Sequence, residues 1–273
     1  MDYSVGIIYN KSKTGAKKLS CEIAAWLKDN KCKVFVSDSC SIKAKKADFV
    51  LSIGGDGTML KVIRVFSPLG AAVKGINLGS LGFLTDIDVS EIYALLKNIL
   101  QNGIKIEKRI LLSVEFEHNG KKVKAVAANE CVIKSLSGLK LITVDLNIDK
   151  KFTAQYKCDG MIIATPTGST AYSLAASGPI VYPNLPVFIA TPISPHTITQ
   201  RPMILSDKSD LTISAKSKYS NGKILVSMDG KENFYVPNGA KIKLSLYKKN
   251  LKLIKNCSRS YFETLKTKLH WSV

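Results

Sequence analysis

The chain has 273 residues, enough for one large or two moderate domains, and its 45% hydrophobic and 22% charged content is typical of globular proteins. No stretch approaches the roughly 20 apolar residues of a membrane span, and the first ten residues lack the features of a secretory signal. The six cysteines form no CxxC pair, and the three histidines are isolated, which favours reduced thiols and predicts no zinc site. We therefore expect a cytoplasmic protein without a membrane partner.

The net charge of +19, from 40 basic and 21 acidic residues, raises the question of a nucleic-acid partner. Only four of the basic residues are arginines, and the lysines are spread along the whole chain. Specific nucleic-acid readers concentrate arginine, whose planar guanidinium pairs bidentately with guanine and phosphate. We expect no specific nucleic-acid partner, although dispersed lysines favour the approach of anionic small molecules.

Short apolar runs alternate with stretches of helical spacing over residues 1–103, which predicts an α/β domain with a parallel sheet. The expected strands are Val5–Tyr9, Val34–Val36, Asp48–Ile53 and Val73–Leu78, and the expected helices are Thr14–Asp29, Thr58–Phe66 and Val89–Leu100.

Residues 104–256 change to alternating, β-branched segments with turn signals, which predicts a mainly antiparallel β domain. The expected strands are Leu111–Glu117, Val123–Val126, Leu141–Ile148, Met161–Ala164, Leu211–Ala215, Ile224–Met228 and Lys241–Leu246. Tyr261–Trp271 has helical spacing, and we expect residues 257–273 to join the first domain.

The turn Gly54-Gly55-Asp56-Gly57-Thr58 lies between a buried strand and a helix. Glycine lets a phosphate approach backbone N–H groups, and a helix N-terminus adds partial positive charge there. Asp56 would then bind a metal that bridges phosphates, or accept a proton from an attacking hydroxyl. The alternative is a tight structural turn with Asp56 as the N-cap.

Two later segments are candidates for ligand binding. Asn129-Glu130 places polar residues between apolar runs, as either a ligand contact or a polar strand end. The run Thr165–Ser173 predicts a hydroxyl-lined loop before a small-residue helix, suited to a nucleotide or simply to a well-capped helix. Tyr172 in this run could stack on a purine.

The GGDGT turn resembles one shared by NAD kinases, lipid kinases and 6-phosphofructokinases. Asn129-Glu130 and the block Asp159-Gly160 followed by TPTGSTAYS and SGP are similar to NAD kinase segments, and the other two families lack TPTGSTAYS. The blocks GINLGSLGFLTD, TPISPHTITQRPMILSD and YFETLKTKLHW also resemble this family. The resemblance therefore runs from near residue 54 to residue 271.

The resemblance implies a Rossmann-like or phosphofructokinase-like α/β domain followed by an NAD-binding β domain. It implies transfer of the terminal phosphoryl of ATP or polyphosphate to the 2′-hydroxyl of the adenosine ribose of NAD, with Asp56 as general base. Gly54, Gly55 and Gly57 would line the donor phosphates, and Mg²⁺ would be carried by those phosphates. The implied nucleotide-binding residues are Asn129, Glu130, Asp159, Thr167, Thr170, Ala171, Tyr172 and Ser173, with Lys61, Lys140 and Lys157 neutralising phosphate.

Three positions depart from the family pattern: Lys231 stands where glutamine is common, Leu78 where arginine is frequent, and Cys158 where glycine is common. These departures bear on ligand contacts. Two other functions stay open from the residues alone, a lipid kinase and a non-catalytic nucleotide sensor or nucleic-acid-binding protein. The resemblance also implies a homodimer or homotetramer that assembles through the β domain.

Overall fold

The computed structural model describes residues 2–39, 42–79, 82–136, 141–218, 223–255 and 260–271. The chain divides into two compact units, Met1–Lys108 with Leu251–Val273, and Arg109–Asn250. These bounds differ from the expected boundaries at residues 103/104 and 256/257. The difference arises because the strands Ile106–Arg109 and Leu251–Ile254 both belong to the sheet of the first unit.

The described residues form strands and helices with the following bounds. The strands are β1 Ser4–Tyr9, β2 Lys33–Asp38, β3 Phe49–Gly54, β4 Ala72–Asn77, β5 Ile106–Arg109, β6 Leu112–His118, β7 Lys121–Ala127, β8 Glu130–Ser135, β9 Ile142–Ile148, β10 Lys151–Cys158, β11 Gly160–Ala164, β12 Val187–Ile193, β13 Met203–Ser206, β14 Leu211–Lys216, β15 Lys223–Met228, β16 Glu232–Pro237, β17 Lys241–Leu246 and β18 Leu251–Ile254. The α-helices are α1 Ala16–Asp29, α2 Asp56–Phe66, α3 Ile92–Asn102, α4 Tyr172–Ala175 and α5 Tyr261–Leu269, and 3₁₀ turns span Val89–Glu91 and Thr167–Thr170.

The first unit is built on a six-stranded sheet in the order β2-β1-β3-β4-β18-β5. The pairs β1/β2, β1/β3, β3/β4 and β4/β18 are parallel, and every residue of β3 and β4 is buried. Strands covered on both faces favour apolar runs, and β3 and β4 are mostly apolar, with Ser52, Lys74 and Asn77 as buried polar residues. Helix α1 buries Leu19, Ile23 and Leu27, a stripe that recurs every three to four residues. The predicted α/β fold of this unit is confirmed.

A buried lysine joins β18 to the first unit. Lys74 Nζ lies 2.8 Å from Asp86 Oδ1 and donates to the carbonyl of Ile254 at 2.9 Å. A buried ammonium group requires such partners, because desolvation of an unpaired charge costs several kcal/mol. These contacts fix the last strand beside β4, within the same unit as the GGDGT turn.

The second unit contains two six-stranded antiparallel sheets. Their orders are β10-β9-β14-β17-β6-β7 and β13-β12-β11-β8-β15-β16. One apolar core combines residues of both sheets, including Val114 and Val144 from the first and Ile163, Phe188 and Val226 from the second. The alternation of apolar and polar residues predicted a mainly antiparallel β domain, and this fold is confirmed.

The C-terminal segment forms α5, which begins after Ser260. The Ser260 hydroxyl accepts the backbone N–H of Glu263 at 3.2 Å, and the Glu263 side chain accepts the backbone N–H of Ser260. This reciprocal capping explains where the helix begins. Within the residues given above, none of the helices is both long and apolar enough to cross a membrane.

Candidate functional site

The glycine-rich turn joins the end of β3 to the start of α2. Gly54 is the last residue of β3, and Gly55 is the N-cap of α2 in an extended conformation with φ −109° and ψ −177°. A methyl group added at Gly55 would meet nothing within 4 Å. The N-terminus of an eleven-residue helix therefore opens onto free space, an arrangement that suits an anionic phosphate.

Asp56 is the first residue of α2, two residues before the expected start of this helix at Thr58. It is not the N-cap that the structural alternative assumed, and its carboxylate reaches a segment almost thirty residues away. Oδ2 accepts the backbone N–H of Phe83 at 2.9 Å, and Oδ1 accepts the N–H groups of Leu84 at 3.1 Å and Thr85 at 3.0 Å. The Thr85 hydroxyl also donates to Oδ1 at 3.0 Å. Asp56 thus fixes residues 83–85 against the start of the helix.

Gly82 allows this approach of the two segments. A Cβ atom at residue 82 would overlap Asp56 Oδ1 and Thr85 Oγ1. Glycine is therefore required here by space. The block GINLGSLGFLTD, which the sequence related only to a family pattern, contributes the donors that hold Asp56.

The lysines expected near phosphate are placed unevenly. Lys61 is half-buried on α2, one turn after the glycine-rich turn, and Lys157 is exposed on β10. Lys140 lies outside the described residues. Among these lysines, Lys61 lies on the same helix as Asp56, α2.

In the second unit, three adjacent strands place the other candidate segments at one edge of a sheet. Strand β8 lies between β11 and β15, with Glu130 opposite Ala164 and Cys131 opposite Met228. The end of β11, the start of β8 and the end of β15 therefore meet at the same edge. The loop that begins at Thr165 follows β11, Asn129-Glu130 lies at the start of β8, and Asp229 follows β15.

The loop Thr165–Thr170 is bonded directly to the Asn129-Glu130 segment. The Thr165 N–H donates to the carbonyl of Asn129 at 2.8 Å, and the Thr165 hydroxyl donates to the carbonyl of Ala128 at 2.6 Å. A Cβ atom at Gly168 would overlap the carbonyl of Asn129. Two motifs that are 36 residues apart in the sequence therefore form one continuous surface.

Most hydroxyl groups of this loop are used inside the protein. Ser169 Oγ donates to the carbonyl of Pro166 at 2.7 Å, Ser173 Oγ pairs with Thr191 Oγ1 at 2.9 Å, and Thr170 Oγ1 donates to the carbonyl of Thr167 at 3.4 Å. By contrast, Thr167 Oγ1 is buried without a hydrogen-bond partner. The expected small-residue helix is the single turn α4, and the 3₁₀ turn before it has no side-chain cap.

Glu130 is the second polar group of this surface that is buried and incompletely bonded. Its Oε2 has no hydrogen-bond partner. Burial, and to a smaller extent the nearby charge of Asp229, raises the pKa of Glu130 from 4.5 to about 8, although a hydrogen bond from the Tyr172 backbone acts in the opposite direction. Buried polar atoms without partners are rare in native proteins, and two of them belong to the segments Asn129-Glu130 and Thr165–Thr170, which are bonded to each other.

Tyr172 follows Ala171 at the start of α4, and its side chain is 41% exposed. It borders a cleft of about 410 Å³ that Ser177, Pro192 and Arg201 also line. The Oε1 atom of Gln200, another lining residue, is buried without a partner. An exposed ring beside a cleft with both polar and apolar lining residues is suited to stacking on a planar base.

The structure separates Asp159 from this group. Asp159 precedes β11 and Thr165 follows it, so the two residues are six positions apart along extended chain, a span of roughly 20 Å. The half-buried Asp159 carboxylate cannot contact the same part of a ligand as Glu130 in this chain. Its assignment to nucleotide binding stays a prediction, and the contact would be made at a place on the protein away from Glu130.

Asp229 is the residue whose role the sequence did not indicate. The carboxylate accepts the backbone N–H groups of Ala128 at 3.1 Å, Asn129 at 2.8 Å and Glu130 at 3.2 Å. The nearby residue that departs from the family pattern, Lys231, is exposed. No local pattern links Asp229 to residues about a hundred positions earlier.

The family follows from comparison with known proteins. A model of the ATP-NAD kinase N-terminal domain matches residues 35–104, and a model of the ATP-NAD kinase C-terminal domain matches residues 128–256. The NAD kinase of Geotalea daltonii is 38% identical over 240 residues, which cover 85% of this chain and 84% of that protein. The chain belongs to the NAD kinase family.

Other NAD kinases give the same result. The NAD kinase of Campylobacter jejuni is 40% identical over 228 residues, with 83% of this chain and 78% of that protein covered. A crystal structure of an NAD kinase from Archaeoglobus fulgidus in complex with ATP has a TM-score of 0.79 at 26% identity, covering 97% of this chain and 99% of that one. Yeast NADH kinase complexed with NADH has the same fold, with a TM-score of 0.86 at 22% identity over all of this chain and 89% of that one.

Proposed function

We propose that this NAD kinase family member transfers the terminal phosphoryl group of ATP or inorganic polyphosphate to the 2′-hydroxyl of the adenosine ribose of NAD, giving NADP. The family match over both parts of the chain supports the reaction class. The observation that carries the proposal is the pair of buried atoms without partners, Glu130 Oε2 and Thr167 Oγ1, on the segments that resemble the family's NAD-binding segments.

The donor phosphates are proposed to bind at the start of α2. Gly54, Gly55 and Gly57 leave room for phosphate oxygens beside backbone N–H groups, and the helix dipole favours negative charge there. Among the residues that the structure describes, no group of three or more His, Cys, Asp or Glu side chains could hold a metal ion. Mg²⁺ would therefore be held chiefly by the donor phosphates, and when bound it neutralises their charge.

Asp56 is proposed to receive the proton of the attacking hydroxyl at Oδ2. A carboxylate has about four lone-pair positions, two on each oxygen. Oδ1 already accepts three hydrogen bonds, whereas Oδ2 accepts one and can accept another. The hydroxyl proton moves to Oδ2 as the oxygen forms its bond to phosphorus, and the shortened donor leaves with the electrons of the broken P–O bond.

We also propose that the protein is cytoplasmic and forms a homodimer or homotetramer. The described cysteines Cys21, Cys32, Cys131 and Cys158 are free thiols, which favours the reducing cytoplasm. Assembly of a homodimer or homotetramer through the β-rich unit is suggested by the family resemblance.

One assay tests the function. The purified protein is incubated with NAD and either ATP, polyphosphate or no donor, each with Mg²⁺, and NADP is measured. We expect NADP with at least one donor and none without a donor. No NADP with either donor, together with phosphorylation of diacylglycerol from ATP, would show instead that the protein is a lipid kinase.

A further inference from the structure

Asp229 occupies a set of backbone donors that would otherwise suit a ligand. Three consecutive N–H groups, of Ala128, Asn129 and Glu130, point to its carboxylate, and its own N–H donates to the carbonyl of Glu130 at 3.0 Å. Successive N–H groups that converge in this way form an anion-binding concavity. Here the bound anion is a side chain of the protein, buried and in the left-handed conformation with φ 50°.

This arrangement places a carboxylate that accepts three backbone hydrogen bonds beside another that accepts fewer. Asp229 accepts three backbone hydrogen bonds, and each stabilises its charged form. Glu130 is buried, and no cation among the described residues pairs with it. Two carboxyl groups in one low-dielectric region cannot both ionise cheaply, so the proton resides on the one with fewer donors.

Among the described residues, three groups act on the charge of Glu130 or share its surroundings. They are Asp229 from the turn after β15, the thiol of Cys131 on β8 itself, and the backbone N–H of Tyr172 at the start of α4. Burial raises the pKa of the Cys131 thiol, so this group stays uncharged near neutral pH. Burial is therefore the main cause that brings the pKa of Glu130 to about 8, and Asp229 is the charged side chain that adds to it.

We infer that Asp229 is a positioning residue that holds the Asn129-Glu130 segment in place and keeps Glu130 as an undissociated acid, whose Oε2–H donates a hydrogen bond to the adenosine portion of bound NAD. This inference rests on the proposed function. Because Oε2 is the oxygen without a partner, the Tyr172 N–H donates to Oε1 and the acid proton sits on Oε2. Glu130 then presents one acceptor and one donor.

A glutamine has the same layout of acceptor and donor as an undissociated glutamic acid. Glu130→Gln should therefore keep both hydrogen bonds, while Glu130→Ala removes both. If Glu130 instead bound NAD as a carboxylate that accepts from a ribose hydroxyl, Glu130→Gln would place an N–H where an acceptor is required. The two possibilities thus predict opposite results for the same variant.

The test is calorimetric binding of NAD to the full-length protein at about pH 6.5, 8 and 9. We expect the affinity of the unsubstituted protein to fall roughly fivefold between about pH 8 and 9, as the acid dissociates. Glu130→Gln should bind within about threefold of the unsubstituted protein at pH 6.5, without the loss at high pH. Asp229→Asn, or Asp229→Ser if the first does not fold, should move the loss of affinity to lower pH.

The outcomes are separable. A Glu130→Gln variant that binds tenfold or more weakly at pH 6.5, beside an unsubstituted protein whose affinity does not change with pH, overturns the inference. An unchanged pH dependence in a folded Asp229 variant overturns the role of Asp229. If neither Asp229 variant folds, ¹³C NMR of the Glu130 carboxyl in the unsubstituted protein decides, since an ionised group at pH 6.5 contradicts the inference. Failure of the unsubstituted protein to bind NAD and to form NADP would count against the proposed function itself.

Discussion

Thr85 donates two hydrogen bonds to the same oxygen of Asp56, one from its backbone N–H and one from its hydroxyl, each at 3.0 Å. Together with the N–H of Leu84, these bonds fill Oδ1 and leave Oδ2 as the oxygen with acceptor capacity to spare. The orientation of the proposed catalytic carboxylate is therefore set by a segment that is itself outside the glycine-rich turn.

The first prediction tests this support. Thr85→Val removes the hydroxyl donor and keeps the shape of the side chain and the backbone N–H. A lost hydrogen bond to a charged group should lower the free energy of unfolding by about 1.5–3 kcal/mol, and a less firmly held carboxylate should lower kcat roughly tenfold. Urea unfolding and steady-state NADP formation measure the two effects. Thr85→Ser retains the donor and is the control. Equal kcat for the valine and serine variants would show that the hydroxyl does not orient Asp56.

The second prediction concerns Asp56 itself. Asp56→Asn removes the proton acceptor, and we expect kcat to fall by roughly 10²-fold or more. The NAD dissociation constant from calorimetry should change little, because the proposed acceptor site lies on the second unit. NADP production near the unsubstituted rate contradicts the base assignment. Because Asp56 also anchors residues 83–85, the unfolding free energy is measured in parallel, and Thr85→Val serves as the matched variant that weakens the anchor while keeping the carboxylate.

The third prediction uses the open space at Gly55. Its φ of −109° suits any residue, and a Cβ atom there meets nothing within 4 Å, so Gly55→Ala should leave the fold intact. If donor phosphates approach this residue, the methyl group should raise the KM for ATP about tenfold, with the NAD affinity unchanged. A KM for ATP equal to that of the unsubstituted protein places the phosphates elsewhere.

The sequence predicted those parts of the fold that depend on local signals. The apolar run before Gly54 and the helical spacing after it predicted β3 and α2, and the family resemblance brought Asn129-Glu130 and Thr165–Ser173 into one functional group. The structure shows that these segments meet because β8 and β11 are neighbours.

The contacts that organise the site could not be predicted in this way. Asp56 binds residues 83–85, and Asp229 binds residues 128–130, across sequence separations for which periodicity carries no signal. The hydroxyl of Ser173 was expected to face a ligand, but it pairs with Thr191 on β12. Hydroxyl groups mark both ligand contacts and internal hydrogen bonds, and only packing distinguishes the two.

The fourth prediction concerns Tyr172, whose ring borders the cleft in the second unit. Tyr172→Ala should weaken NAD binding about tenfold through loss of stacking, with the melting temperature nearly unchanged because the side chain is 41% exposed. Its backbone N–H, which bonds Glu130, is retained in the variant. Tyr172→Phe keeps the ring and should bind NAD within about twofold. Calorimetry that finds the same affinity for the alanine variant as for the unsubstituted protein rules out stacking.

The last prediction follows from the buried acid. The folded-state pKa of Glu130, about 8, lies above its ordinary value of 4.5, so the folded protein holds a proton that the unfolded chain releases between these values. Stability from this group is fully present below about pH 4.5, falls as the pH rises and is lost by about pH 8. The loss is at most roughly 5 kcal/mol, an order-of-magnitude limit set by the size of the shift.

Glu130→Gln removes this penalty because glutamine does not titrate. In the absence of NAD, urea unfolding should show the glutamine variant gaining stability over the unsubstituted protein by a few kcal/mol between about pH 5 and 8. Glu115→Gln is the control, since Glu115 is paired with Lys122 and Lys124 on the surface and its pKa is lowered by them, so its variant should gain no stability over this range. If the difference in unfolding free energy between Glu130→Gln and the unsubstituted protein were the same at about pH 5 and about pH 8, Glu130 would be ionised in the folded protein over this whole range.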